Sequence, residues 1–239
     1  IKGGYDIGYA FNGGNGSQPI MVNNAWVENK GAIVIGQAAI VCKGGKIGDV
    51  FGGSDGKGSV GGSSVDTSGG NPEDDDYCPL HITRLYGGGN AGDVNGNVNI
   101  VLKACSDSPI EYVHGGSYNA HILGNVTLTI TSGILKNVYG GNDARGGIQG
   151  NITVNVEETG ECNPVIIQNL VGGGNMAPFP GTYKNEDGDE VSYNPNSPRR
   201  KITVNVKSAT RIDNIYGGSF QAEADADVEV NINMIKGGY

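Results

Sequence analysis

The sequence is poor in charge, in basic clusters and in long apolar runs. Only 17% of its 239 residues are charged, and their formal net charge is −9. No Lys/Arg-rich run offsets this negative field, so we expect no nucleic-acid partner. No stretch approaches the roughly 18 apolar residues of a membrane span, so we expect no membrane insertion in this segment. The opening residues, Ile1 and Lys2, belong to neither a signal peptide nor an initiator-methionine start, which indicates a segment of a longer protein.

Metal-binding and catalytic motifs are also scarce. Four cysteines are spread along the chain without the close pairs of a zinc site, and both disulfides and reduced buried thiols stay open. His81, His114 and His121 have no zinc-ligand spacing, so no metal is predicted there. There is no nucleophile elbow, phosphate loop or dinucleotide fingerprint, and we therefore predict no enzyme.

Glycine, by contrast, is abundant, with 43 residues. These glycines do not recur at every third position, which excludes a collagen helix. They occur mostly in pairs between short apolar segments. We interpret the pairs as tight corners that need a positive φ.

One phrase recurs along the whole chain: apolar, two variable residues, apolar, aromatic, Gly, Gly. We call it the aromatic-Gly-Gly phrase. Its copies occupy residues 47–53, 82–88, 110–116, 135–141, 167–173 and 212–218, with a weaker copy at 7–13.

A second phrase, here the alternating phrase, has apolar and polar residues in strict turn. Its apolar members are Val98, Ile100, Leu102, then Val126, Leu128, Ile130, then Ile152, Val154, Val156, then Ile202, Val204, Val206, and Val228, Val230, Ile232. A period of two predicts a strand with one buried and one wet face. Neither strand of a repeat can bury its apolar edge alone, so the repeats must stack.

The repeat length indicates how they stack. Uninterrupted copies lie 25 to 28 residues apart, as between Gly87, Gly115 and Gly140. That length suits one coil of a parallel β-helix and is too short for a four-stranded propeller blade. We predict an all-β parallel β-solenoid over 1–239, a right-handed β-helix of about seven coils with surface insertions at 54–76 and 176–200. The opening residues 1–5 recur as 235–239, so we expect flanking repeats of the same chain as neighbours.

These phrases resemble the tandem repeats of large secreted or surface-anchored bacterial β-helix proteins, described as adhesin-like or pectate-lyase-like solenoids. The resemblance covers nearly the whole chain but no active-site motif. It implies extracellular or cell-surface display and a structural or adhesive role, with a glycan or a host-surface protein as partner. The alternatives are a carbohydrate-active β-helix enzyme, which needs two carboxylates roughly 5 to 9.5 Å apart, and a fibre segment with three-fold symmetry.

Two columns of residues are candidates for function or for stacking, and spacing alone leaves open whether the aromatic column faces outward. The aromatic column is Phe51, Tyr86, His114, Tyr139 and Tyr216. Its last four members are ligand-binding candidates because aligned rings can form a sugar-stacking strip, although packing is the favoured reading. The asparagines Asn137, Asn169 and Asn214 share another column, where we predict amide bonds along the stack.

The densest acidic cluster is the last candidate. Glu73, Asp74, Asp75 and Asp76 lie together in the first insertion. Ca²⁺ is the ion that such an oxygen-rich loop would hold, and a solvated acidic loop is the favoured alternative. No other cofactor is predicted.

Overall fold

The structure is a computed structural model that describes residues 6–16, 20–27, 31–67, 79–105, 108–160, 163–184, 189–192 and 198–234. These residues form strands and turns and contain no helix. The strands are β1 (Asp6–Phe11), β2 (Ile20–Val22), β3 (Ala25–Val27), β4 (Ala32–Val41), β5 (Gly45–Phe51), β6 (Gly58–Asp66), β7 (Leu80–Tyr86), β8 (Asp93–Val94), β9 (Val98–Lys103), β10 (Ile110–His114), β11 (Val126–Tyr139), β12 (Ile152–Glu157), β13 (Val165–Val171), β14 (Thr182–Lys184), β15 (Glu190–Ser192), β16 (Arg200–Ser208), β17 (Arg211–Tyr216) and β18 (Ala226–Ile232).

Two ladders of parallel strands, with the short strand β8 beside β6, make up one 14-stranded sheet. The aromatic-Gly-Gly phrases form the ladder β1-β5-β7-β10-β11-β13-β17. The alternating phrases form the ladder β4-β6-β9-β11-β12-β16-β18. Strand β11 is 14 residues long and belongs to both ladders, which joins them. Each strand thus pairs with its equivalents in the repeats before and after it, an arrangement consistent with a β-solenoid.

This pairing confirms the all-β prediction and the prediction of parallel strands between repeats. The register is the one that the phrases predict, with Val126 beside Ile152 and Thr127 beside Thr153. The antiparallel pairs in the described residues are two short hairpins, β2 with β3 and β14 with β15. Neither hairpin is part of the large sheet.

Columns of Val, Ile and Leu form the core between the ladders. In β9, β11, β12 and β16 the apolar members of the alternating phrase are at most 2% exposed. Their equivalents in β18, Val228, Val230 and Ile232, are 38–61% exposed because β18 has a neighbouring strand on one side alone. Burying an aliphatic side chain contributes roughly 1.5–3 kcal/mol, so the stacked columns are the main source of stability.

The paired glycines are required by close approach between repeats. A Cβ atom on Gly115 would overlap the carbonyl oxygen of Gly140, and one on Gly140 would overlap that of Gly172. The expectation of positive φ is wrong for the described pairs of the aromatic-Gly-Gly phrase, because the positive-φ glycines lie elsewhere in the chain. The pairs bring successive turns within backbone contact, where a side chain has no room.

The two predicted insertions are partly strands of the stack. Residues 58–66 of the first form β6, which pairs with β4 and β9, so the prediction of a surface excursion is wrong there. Small residues suit this strand, since the buried Ser63 hydroxyl donates to the Gly52 carbonyl at 2.8 Å. Residues 68–78 lie outside the described part. In the second insertion Phe179 is 3% exposed in the core, whereas β14 and β15 form a hairpin.

The cysteines that the structure describes differ in state. Cys105 is disulfide-bonded. Cys42 is a free, buried thiol, and burial, followed by the nearby charge of Asp66, raises its pKa to about 11. Cys42 is therefore protonated and unreactive at neutral pH. Both of the states left open by the sequence occur in the same chain.

Candidate functional site

The aromatic column is a continuous stack of rings on the outward face of the first ladder. Parallel register places Phe11, Phe51, Tyr86, His114 and Tyr139 side by side. Successive ring centroids lie 4.7–4.9 Å apart and the rings are within 3–11° of parallel. This distance equals the spacing of hydrogen-bonded strands, so the backbone sets the stacking. Val171 occupies the next position and separates Tyr216 from the stack.

The stacked rings are buried although they point away from the core. Tyr86, His114 and Tyr139 are 1–4% exposed, whereas Tyr216 is 44% exposed. Each ring face of Tyr86 and His114 is covered by the neighbouring ring, so no sugar can lie on it. The three buried candidates therefore stack in a row, Tyr86 on His114 and His114 on Tyr139.

A buried carboxylate, Asp143, holds the outer side of this stack. It accepts hydrogen bonds from the Tyr86 hydroxyl at 3.1 Å and the Asn175 amide at 2.9 Å, and its Oδ2 lies 3.5 Å from Nε2 of His114. Burial lowers the pKa of His114 to about 4, although the charge of Asp143 opposes that shift. Burial, reinforced by Asp143, raises the pKa of Tyr86. At neutral pH His114 is uncharged and Tyr86 keeps its proton.

A second outward column lies two residues before the rings on the same face. It runs Tyr9, Asp49, Arg84, Tyr112, Asn137, Asn169, Asn214. Arg84 donates from Nε and Nη2 to the two carboxylate oxygens of Asp49 at 2.7 and 2.6 Å. The Asp49 side chain is 7% exposed and that of Arg84 is 45% exposed. Hydrogen bonding to Asp49 is the main cause that raises the pKa of Arg84.

The last three residues of this column form the predicted amide ladder. The Asn169 amide donates to the Asn137 side-chain oxygen at 2.9 Å, and Asn214 donates to Asn169 at 3.0 Å. A matching row of amides lies on β12, β16 and β18 of the second strand ladder. It joins Asn205 to Asn155 at 2.9 Å and Asn231 to Asn205 at 3.0 Å. The structural interpretation of the asparagines is confirmed, since each amide satisfies its neighbour.

A third column comes from the loops, two residues after each Gly-Gly pair. It runs Asp55, Asn90, Tyr118, Asp143, Asn175 and Phe220, and backbone bonds between successive loops hold it in register. Asn90 donates to the Asp55 carboxylate at 2.8 Å. The Tyr118 ring meets Tyr86 edge-on, with centroids 5.9 Å apart and planes at 73°. The loops thus cover the outward rings.

The three columns enclose a cleft of about 390 Å³. It is lined by the Asp49–Arg84 pair and by the loop residues Asp55, Asn90 and Tyr118. The remaining lining comes from the rings Tyr9, Phe11, Phe51 and Tyr86. Tyr9 is 64% exposed and Tyr118 is 36% exposed. The cleft combines apolar ring surfaces with paired donors and acceptors, which is the composition of a small-molecule binding site.

The remaining candidates lie away from this cleft. Tyr216 contacts Phe220 edge-on at 6.3 Å. The acidic residues Glu73, Asp74, Asp75 and Asp76 lie outside the described residues. Within the described part, no three His, Cys, Asp or Glu side chains converge as metal ligands.

Sequence reasoning missed the loop column, and with it most of the cleft. Tyr118, Asp55 and Asn90 each stand at the same offset from a Gly-Gly pair. This constant distance from the Gly-Gly pairs is the sequence signal that reveals the column. No repeat signal would have shown that Tyr118 turns onto Tyr86, because that contact joins two repeats.

The chain matches no protein-family model, no curated protein and no solved structure. Its function therefore has to be argued from the geometry of the site. In the part of the chain that the structure describes, no helix is long and apolar enough to span a membrane.

Proposed function

We propose that this chain is a structural and adhesive segment of an extracellular or cell-surface bacterial protein, and that its cleft binds a glycan. In this proposal the parallel sheet is a right-handed β-helix of about seven coils, and the stacked coils act as a rigid support for the cleft. The repeat phrases resemble those of surface-displayed solenoids. The disulfide at Cys105 agrees with an oxidising compartment.

The cleft between Asp49, Arg84 and Tyr118 is the observation that carries the proposal. A sugar presents hydroxyl groups along its rim and C–H groups on its faces. Asp55 supplies acceptors to the cleft and Arg84 supplies donors, since Arg84 retains N–H groups beyond the two bound to Asp49. The exposed rings of Tyr9 and Tyr118 supply apolar surface at the margins.

A rigid site on a repetitive support is favourable for adhesion. The residues that line the cleft are held by backbone bonds of the ladder and of the loop column, so little conformational entropy is lost on binding. Weak single sites are sufficient when a long surface protein presents several of them together.

Binding to a panel of linear trisaccharides tests this proposal. The panel contains neutral members (cellotriose, mannotriose, galactotriose and xylotriose), trigalacturonate, and the trimer of glucosamine. We expect at least one member to bind in isothermal titration, and Tyr118→Ala to weaken it about tenfold, equivalent to about 1.4 kcal/mol.

Phe220→Ala is the matched control. Phe220 occupies the same loop column and meets Tyr139 edge-on at 6.1 Å, as Tyr118 meets Tyr86, but it does not line the cleft. We expect it to leave affinity unchanged. Absence of binding by every trisaccharide, or equal losses in both variants, contradicts the proposal. Release of new reducing ends would instead support the alternative of a carbohydrate-active enzyme.

A further inference from the structure

We infer that the cleft excludes acidic oligosaccharides and that the Asp49–Arg84 pair sets this selectivity. The inference rests on the proposed glycan-binding function. It concerns which charge class of glycan enters, and it assigns Arg84 to ligand contact and Asp49 to positioning of Arg84.

The charge balance of the lining disfavours acidic glycans. Its charged side chains are Asp49, Asp55 and Arg84, so one positive and two negative charges give a balance of −1. The Arg84 guanidinium is already paired in two-point contact with Asp49. A uronate would meet Asp55 without finding a free cation, and the chain as a whole carries −9. Such a carboxylate would lose its hydration without gaining a partner.

The orientation of the rings leaves a cation no aromatic face at Phe51 or Tyr86. A cation binds over the face of an aromatic ring. Both faces of Phe51 are covered, by Phe11 and by Tyr86, and both faces of Tyr86 are covered by Phe51 and His114. These rings turn their edges toward the cleft, and ring edges carry partial positive charge. At these two rings an amino sugar would meet edges alone, so the lining groups that could attract it are the carboxylates of Asp49 and Asp55.

A neutral, hydroxyl-rich ligand fits both features. Hydroxyl oxygens are attracted to ring edges, and adjacent hydroxyls can accept from Arg84 while they donate to Asp55. Arg84 is 45% exposed and reaches the cleft, whereas the Asp49 side chain is 7% exposed and lies beneath it. Asp49 therefore fixes the plane of the guanidinium and cancels its charge. Arg84 supplies the N–H groups that face the ligand.

The test compares charge classes in the trisaccharide panel. For the wild-type chain we expect a neutral trisaccharide to bind at least about tenfold more tightly than trigalacturonate. Asp49→Asn leaves the Arg84 charge uncompensated, so we expect it to raise the affinity for trigalacturonate about tenfold. Arg84→Gln removes donors, and we expect about a tenfold loss for the neutral ligand.

Lys136→Gln is the control variant, because it removes the Lys136–Glu111 ion pair on the same ladder without touching the cleft. We expect it to leave all affinities unchanged. The salt dependence of binding can be measured on the wild-type chain alone. Its affinity for the neutral trisaccharide should not change between about 0.05 and 0.5 M NaCl, a range over which interactions between charges are progressively screened.

Two failures are distinguishable. If no trisaccharide of any class binds, the proposed function itself fails. If the wild-type chain prefers trigalacturonate, or if folded Asp49→Asn leaves the affinity for trigalacturonate unchanged, glycan binding stands and the inference about charge is overturned. A purely structural role for the pair would change stability but not the ratio of the neutral to the acidic affinity.

Discussion

Two regions of one outward face share a backbone and differ in what their side chains do. In the cleft region, β1, β5 and β7 carry Tyr9, Asp49 and Arg84 in one column. In the ladder region, β11, β13 and β17 carry asparagine in that same column. Identical amides bond to one another along the stack and need no ligand. Dissimilar side chains leave a hollow with donors and acceptors that a ligand can use.

The comparison separates the support from the site. Beneath both regions the core columns are alike, with Ile82 under the cleft and Ile167 under the ladder, 5% and 0% exposed. Because the core stabilises the stack, the outward positions are free to vary from repeat to repeat. A solenoid can therefore carry a binding site in a few repeats and purely structural surface in the rest.

The largest expected effect comes from breaking the shared core. Ile82→Ala and Ile167→Ala should each lower the free energy of unfolding by about 2–5 kcal/mol, because each leaves a cavity. Urea denaturation measures the loss. Ile35→Ala is the control, since Ile35 is 92% exposed and should change stability by less than about 0.5 kcal/mol. If only one of the two isoleucine variants loses unfolding free energy, the cores beneath the two regions are not equivalent.

The next effect concerns His114, at the border between the regions. Its pKa is about 4 in the folded chain, below the ordinary value of 6.5, so the unfolded chain takes up the proton first as pH falls. Its contribution to stability is complete above pH 6.5 and is lost as the pH falls to 4. The loss is about 3 kcal/mol.

Replacement by phenylalanine tests this assignment. His114→Phe keeps a ring in the stack and removes the titrating group. We expect the pH dependence of unfolding between 6.5 and 4 to become shallower by about one proton. Ile35→Ala, which removes no titrating group, should keep the wild-type slope. An unchanged slope in His114→Phe would refute the role of the buried histidine.

The smallest effect sharpens the contrast in the shared column. Asn169→Ala removes the donor to Asn137 and the acceptor of Asn214, so we expect a loss of about 1–2 kcal/mol in unfolding free energy. Gln168→Ala, at the neighbouring exposed position, should cost less than about 0.5 kcal/mol. If the two variants are equally stable, the amide ladder contributes nothing and is only a consequence of register.

The fold was largely predictable from residues such as Val154 and Thr153. Strict alternation, repeated at nearly constant spacing, admits one set of buried positions, and the observed register places Ile152, Val154 and Val156 beside Ile202, Val204 and Val206. The asparagine ladder was predictable for the same reason. The strand at 58–66 was not, because its glycines and serines have the composition of a loop, and pairing with β4 and β9 decides its structure.

The site was less accessible to sequence reasoning. Tyr86 and His114 were identified as candidates, but their burial depends on loops from other repeats. Asp143, for instance, bonds to Tyr86 across 57 positions of the chain. Tyr118 and Asn90 had no motif that would distinguish them from other loop residues.

The sequence by itself determined the all-β fold, the parallel register and the buried columns, because period-two alternation within a regular repeat specifies which side chains face inward. Only the tertiary structure decided that the outward rings are covered and that a cleft opens at Asp49 and Arg84. The physical reason is that covering and cleft depend on how side chains of different repeats meet at the surface. Those contacts vary with the individual residues rather than with the repeat.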